Sequence, residues 1–320
     1  MTFYSESLPL SRPFRISRGA KTSADVVVVE LAQGGMVGRG ECVPYGRYQE
    51  NCASVMAQLG VLQGQALDRA QVQRLLPPGA ARNALDCALW DLEAKLSGIG
   101  VAERLGIATP PSLPTALTVT LDTPEAMAAQ AKALGKASLI KIKVDAQAPL
   151  EQIRAVRHAA PAARLIVDPN EAWSPALLVE ALPELAVLRV DLLEQPIPAA
   201  QSEALATITP LVPICADEAC HTTEDLPALV GRYQVVNIKL DKTGGLTEAL
   251  TMLRDARAMG FGVMTGCMTA SSLSIAPAML IGAQSDFADL DGAMLMVEDR
   301  PGAMPLRDGQ LWPAAEGFWG

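Results

Sequence analysis

The chain has 320 residues, half of them apolar, and carries 26 basic against 35 acidic side chains for a net charge of −9. That balance, without any basic run, excludes nucleic acid and anionic membrane surfaces as expected partners. No apolar run is long enough to span a bilayer and no leader pattern opens the chain. The six dispersed cysteines include no CxxC, so reduced thiols in a cytoplasmic protein are expected.

In chain order, "FRISRG", "ADVVVVELAQ" and "GMVGRGEC" predict antiparallel strands, the last two joined by a Gly-Gly turn. "GAARNALDCALWDLEAKLSG" (79–98) has apolar positions at helical spacing and ends in glycine. An α+β domain over residues 1–110 is therefore expected, closed by the proline-rich "TPPSLP" at 109–114.

From about residue 111 the rhythm changes. Short apolar runs recur at "LPTALTV", "SLIKIKV", "RLIVD", "LRVDLLE", "VPICADE", "YQVVNIKL", "FGVMTG" and "DFADLDG", separated by Ala- and Leu-rich helical segments. Strand then helix, repeated eight times, predicts an α/β fold, a (β/α)8 TIM-type barrel over 111–292. The segment after about 293 is too short for another unit and is expected to return and complete the first, capping domain.

Within the second run, "LIKIKVD" sets Lys141 and Lys143 two residues apart, on one face of a strand. Two adjacent ammonium groups gain a structural strand nothing. Further on, Asp168, Glu194, Asp217 and Lys239 follow Lys143 at intervals of 22 to 26 residues, one βα unit each. Such spacing lands them at similar heights around the C-terminal barrel mouth, where barrel enzymes keep their active sites.

Three carboxylates on consecutive strands repel unless a cation joins them. Asp168, Glu194 and Asp217 are accordingly expected to hold a metal, and oxygen-only ligation favours Mg²⁺, with Mn²⁺ as the alternative. Each acid taken singly reads as a helix cap or an ion pair; the conjunction with flanking lysines changes the reading. Such a metal clamps a substrate carboxylate and absorbs charge when the α-carbon loses a proton. Lys143 on one side and Lys239 on the other then serve as acid and base, with Lys141 placed to lower the pKa of Lys143. Of the two histidines, His158 reads as structural, and the pair is too few for a histidine-based centre.

Together "KIK" (141–143), "DPNEAW" (168–173), "EQP" (194–196), "ADE" (216–218) and "NIKLDKTGG" (237–245) resemble the enolase superfamily, and within it the dipeptide epimerases of the muconate lactonizing subgroup. The resemblance spans essentially the whole chain. It implies Asp168, Glu194 and Asp217 as metal ligands and Lys143 and Lys239 as the two acid/base groups. "DLDG" (289–292) resembles the pair that holds a dipeptide α-ammonium, here Asp289 and Asp291. "RISRGAKT" (15–22) is similar to the capping loop of the L-Ala-D/L-Glu branch, where an arginine in the place of Arg18 meets the glutamate carboxylate.

Thr118, on the first barrel strand, is a further candidate for hydrogen bonding to substrate, while Cys267 reads as packing and Trp173 as shaping a loop. The resemblance thus implies an isomerase acting on a small-molecule dipeptide, within murein peptide metabolism. Alternatives in the same subgroup are epimerases of other dipeptides and o-succinylbenzoate synthase or cycloisomerase chemistry. A non-catalytic metal–carboxylate binding module is the reading from another class. Oligomeric state, a homo-oligomer included, is left open by the sequence.

Overall fold

The computed structural model describes residues 1–320. Strands β1 (Thr2–Ile16), β2 (Gly19–Gln33) and β3 (Met36–Cys42) form an antiparallel sheet in the order β1-β2-β3. The unbroken "VVVV" of β2 is explained by burial on both faces. Val27 and Val29 pack with helices α1 (Cys52–Val61), α2 (Arg69–Leu75) and α3 (Ala80–Ser97), whereas Val26 and Val28 pack with Leu273, Met296 and Phe318. Each such valine contributes up to about 2 kcal/mol of apolar burial, so β2 ties the cap to the rest of the molecule. Helix α3 ends as its sequence predicts, with Gly98 at φ 68° accepting the left-handed turn.

After the short helix α4 (Val101–Leu105) and the two-residue strand β4 (Leu113–Pro114) come eight parallel strands. They are β5 (Leu117–Val119), β6 (Leu139–Lys143), β7 (Arg164–Asp168), β8 (Leu192–Glu194), β9 (Ile214–Ala216), β10 (Val235–Ile238), β11 (Gly262–Gly266) and β12 (Phe287–Asp289). They lie side by side in chain order, and the ring is closed where Ala116 N donates to Ala288 O at 2.8 Å.

The eightfold alternation is less regular than its rhythm predicts. Crossover helices α5 (Pro124–Ala133), α6 (Pro149–Ala159) and α7 (Pro175–Val187) follow β5, β6 and β7. After β8 the chain forms only a 3-10 segment, Ala199–Thr207, bracketed by Pro196, Pro198 and Pro210; after β9 a 3-10 turn leads into the single-turn helix α8 (Leu226–Leu229). Prolines restrict both segments, since each removes a backbone donor and clashes with the preceding turn. Helices α9 (Leu240–Thr243) and α10 (Leu246–Ala258) follow β10, α11 (Ser272–Gly282) follows β11, and no α-helix follows β12.

The C-terminal segment runs back over the cap. Val297 N donates to Pro9 O, Arg39 Nη2 to Phe318 O and Gly320 N to Asp91 Oδ1. No helix is long and apolar enough to cross a membrane.

Candidate active site

The barrel interior is layered, and strand periodicity sets the layers. Ala116, Leu139, Ile166, Leu192, Cys215, Val235, Met264 and Phe287, one residue from each strand or its immediate start, form one buried apolar cluster. Two residues further along each strand, on the same face, stand Thr118, Lys141, Asp168, Glu194, Asp217, Asn237, Gly266 and Asp289. An apolar floor is thus overlaid by a polar ring. One more step of two brings Lys143, Lys239 and Asp291 to the rim.

The ring is buried and internally neutralised. Lys143 Nζ lies 2.5 Å from Asp168 Oδ2, Lys141 Nζ lies 2.7 Å from Glu194 Oε2, and Lys239 Nζ lies 2.7 Å from Asp217 Oδ2. Lys141 also pairs with Asp289 at 2.8 Å and with Asp168 at 3.2 Å. Lys141 and Lys143 therefore share Asp168 Oδ2, which answers the apparent repulsion of two lysines on one strand face. Burial presses the Lys141 ammonium toward neutrality, but Asp289, Glu194 and Asp168 outweigh it and hold its pKa well above the usual value.

The carboxylates diverge in the same field. Although burial raises Asp168, Lys143 and Lys141 bring it down to about 2. Glu194, raised by burial and then by Asp168 and Asp217, is pushed up to about 7.

As they stand, no three His, Cys, Asp or Glu side chains surround a common cation position. Lysine ammonium groups occupy the carboxylate oxygens instead. The donor set nevertheless fits a hard divalent cation. Asp168, Glu194 and Asp217 are all at most 1% exposed, and they present only carboxylate oxygens, each of the three already facing a lysine ammonium that a metal cation could replace. Buried carboxylates need a cationic partner, and hard oxygen donors suit a divalent ion.

Neighbouring residues hold the acids in place. Asn170 N donates to Asp168 Oδ1 at 2.8 Å, from a turn in which Asn170 and Glu171 both have positive φ (48° and 69°). Asn237 Nδ2 donates to Glu194 Oε1 at 2.9 Å, and Gln195 Oε1 accepts from the backbone of Asp217 and Ala219. A Cβ at Gly266 would stand 2.8 Å from Asn237 Oδ1 and 2.9 Å from Lys239 Cε, so glycine leaves room for both side chains in the ring.

Above the ring is a cavity of about 430 Å³ between barrel mouth and cap. It brings together Arg18, Thr118, Lys141, Lys143, Asp217, Lys239, Asp289 and Asp291; Asp168 and Glu194 do not line it. Thr118 N donates to Asp291 Oδ2 at 2.7 Å, and burial with the nearby Asp289 pushes Asp291 up to about 6. Asp289 Oδ1 is buried and unpartnered. Trp173 is buried and donates from Nε1 to Asp145 O at 2.8 Å, tying the loop after β7 to that after β6. Cys267 lines the cavity, and His158 is exposed on α6.

Arg18 reaches the cavity but is already engaged. Nη1 donates to Asn170 O at 2.9 Å and pairs with Glu171 at 3.3 Å, while Nη2 donates to Tyr45 Oη at 3.0 Å and pairs with Glu218 at 2.7 Å. Arg47 pairs with Glu171 through two nitrogens. Lys21, over the Tyr45 ring at 5.1 Å, forms no ion pair. Arg18, Lys21 and Arg47 set against Glu171 and Glu218 leave this wall with one surplus positive charge, at Lys21. Sequence reasoning missed Lys21, Arg47, Glu218 and Lys242; Lys21, Glu218 and Lys242 lie inside recognised motifs, but Tyr45 beside Lys21, Arg18 beside Glu218 and Asp217 beside Lys242 come from other segments.

Fold and site together define a capped-barrel enzyme with a lysine–carboxylate centre at the barrel mouth. The chain belongs to the mandelate racemase/muconate lactonizing enzyme family of the enolase superfamily: residues 1–106 match that family's N-terminal domain and residues 125–317 the enolase C-terminal domain-like model. It is similar to the L-Ala-D/L-Glu epimerase of Escherichia coli (strain K12), 48% identical over 96% of this chain and 98% of that protein. It is also similar to the N-acetyl-D-glutamate racemase of Pseudoalteromonas sp, 44% identical over 92% of this chain and 95% of that protein. Among solved structures, an enolase family member from Agrobacterium tumefaciens with homology to dipeptide epimerases superposes with a TM-score of 0.97. That protein is 45% identical, the match covers 100% of this chain and 99% of that one, and it was solved with sodium, L-Ala-L-Glu and an ordered loop. More distant dipeptide epimerase structures, 28% and 29% identical, hold Mg and a dipeptide.

Proposed function

We propose that this chain is a Mg²⁺-dependent dipeptide epimerase that interconverts L-Ala-L-Glu and L-Ala-D-Glu by moving the α-proton of the second residue. The observation that carries the reading is the placement of two lysines on opposite flanks of the carboxylate set, Lys143 against Asp168 and Lys239 against Asp217.

Asp168, Glu194 and Asp217 would hold the cation. Bound there, it supplies the positive charge that a carboxylate needs while its neighbouring carbon is deprotonated. Lys143 Nζ removes the α-proton from one face and Lys239 Nζ delivers one to the other, so the configuration inverts; in the reverse direction they exchange roles. Asp289 and Asp291 take the α-ammonium, and the unpartnered Asp289 Oδ1 supports this. Thr118 fixes Asp291 through its backbone N–H. The surplus charge of the capping-loop wall, which Arg18, Lys21 and Arg47 line, favours an acidic second residue. The cap covers part of the barrel mouth, and the buried carboxylates and lysines below it interact in a low-dielectric setting that strengthens their contacts.

The identity to an N-acetyl-D-glutamate racemase favours a second reading, an N-acylglutamate as substrate. Such a molecule has no α-ammonium, so it would leave two buried aspartates facing a neutral amide. The dipeptide accounts for them and is the better fit. Six free cysteines support a reducing, cytoplasmic setting, where a murein-derived dipeptide would be met.

Proton NMR in D2O tests the reading. With Mg²⁺ present, L-Ala-L-Glu is expected to lose its glutamate α-proton signal as the other diastereomer appears. Silence with this dipeptide, with exchange in N-acetylglutamate, would transfer the assignment to the second reading.

A further inference from the structure

Lys242 is wholly buried and unused by the mechanism above, yet it touches the same carboxylate as Lys239. Its Nζ donates to Asp217 Oδ1 at 2.7 Å, to Asp217 O at 2.7 Å and to Asn237 O at 2.8 Å. An ammonium has three donors, so Lys242 has none left over. Lys239 has a single hydrogen bond, to Asp217 Oδ2. The two lysines thus hold the two oxygens of one carboxylate on different terms.

The turn that carries Lys242 is clamped from outside. Within α9, Asp241 Oδ1 accepts from Val43 N at 2.9 Å and from Asn83 Nδ2 at 2.8 Å, both from the cap. Arg82, also from the cap, donates to Thr243 O and Gly244 O. Lys242 therefore cannot follow Asp217 if that side chain turns; Asp217 must stay where Lys242 keeps it.

We propose that Lys242 is the positioning residue of Asp217: it commits Oδ1 permanently to the protein and leaves Oδ2 as the one oxygen that Asp217 offers, to Lys239 or to a cation. Lys239 is then the exchangeable partner, displaced from Oδ2 when a cation binds and turned toward the cavity it already lines. The inference rests on Asp217 being a metal ligand.

The test is the affinity for Mn²⁺ alone, measured by calorimetry on the full chain, for the wild type, Lys242→Gln and Lys242→Met. Partners that orient metal ligands typically matter 10- to 100-fold in affinity, and a loss of about that size is expected in both variants. Charge counting alone predicts the opposite, because removing a cation beside the site should tighten Mn²⁺ binding. A merely structural lysine would lower the melting temperature but leave the affinity of the folded protein unchanged. Unchanged or tighter binding in folded Lys242 variants overturns the inference.

Removing one partner of a buried pair can unfold a protein. If neither variant folds, ¹⁵N-lysine NMR of the wild type decides. One slowly exchanging ammonium signal should keep its shift when Mg²⁺ is added while the Lys239 signal moves; a shift of both, or of neither, overturns the inference. Failure of the underlying reading looks different: wild-type chain without stoichiometric Mn²⁺ binding, or Asp217→Asn binding as tightly as wild type, removes Asp217 from the ligand set.

Discussion

Lys239 Nζ donates to Asp217 Oδ2 across 2.7 Å, from a residue just past β10 to one just past β9. The proposed base and the proposed ligand are thus each other's partner, and a cation at the carboxylates must separate them. Chelation of the purified enzyme is therefore expected to abolish epimerisation and return each lysine to its carboxylate. Mg²⁺ or Mn²⁺ should restore turnover. Cation binding should also raise the unfolding free energy by about 3 kcal/mol at a hundred times the dissociation constant, a gain read by thermal melts with and without metal. Full activity after exhaustive chelation would contradict the metal site.

Substrate charge should be read at Lys21. For Lys21→Met we expect KM for L-Ala-L-Glu to rise about tenfold with kcat little changed, since lost binding common to ground and transition states appears in KM. Kinetics with a dipeptide whose second residue is neutral should not show that rise. Arg18→Met should behave differently, lowering kcat as well, because Arg18 also pins the capping loop to Asn170 O and Glu218.

The aspartate pair separates the two substrate readings. Asp291→Asn can keep the hydrogen bond from Thr118 N while losing the negative charge. Its KM for L-Ala-L-Glu should rise by about tenfold or more, whereas inhibition by N-acetyl-L-glutamate should be unchanged or stronger. Equal weakening of both would remove Asp291 from recognition of the ammonium.

Stability should fall as pH rises from about 4 to 7. Burial pushes the Asp241 carboxyl, at the cap–barrel interface, up to about 7, above its unfolded value near 4. The folded chain then binds more protons than the unfolded chain in that window, and stability is lost as pH climbs through it. Asp241→Asn can retain both acceptor contacts of Oδ1 and should raise stability at pH 8 by on the order of 4 kcal/mol, the product of about three pKa units and 1.36 kcal/mol per unit, with little effect at pH 4. Denaturant titrations at the two pH values check it; equal effects at both would contradict the assignment.

Much of the site was legible because strand spacing is rigid. One βα unit of about two dozen residues sets Asp168, Glu194 and Asp217 on adjacent strands, and the two-residue period places them on the ring above the apolar floor. What was not legible lies in side-chain pairing across distant segments. The motif spacing gives Lys242 in "LDKTGG" no role, because Asp217 and Asn237 enclose it only once the chain is folded. The resemblance assigns Arg18 to a substrate carboxylate, and its spacing gave no sign that Tyr45, Asn170, Glu171 and Glu218 occupy both its terminal nitrogens. The irregular crossovers after β8 and β9 were hidden because periodicity reports apolar spacing, whereas prolines determine whether a helix forms there.

The central claim is that Lys143 and Lys239 address opposite faces of one α-carbon. Deuterium exchange into L-Ala-L-Glu and L-Ala-D-Glu, followed separately with Lys143→Met and Lys239→Met, tests it most directly. Each variant should fail to epimerise yet still exchange the α-proton of one diastereomer, a different one for each variant. Exchange of the same diastereomer by both variants, or epimerisation by either at the wild-type rate, would contradict the account.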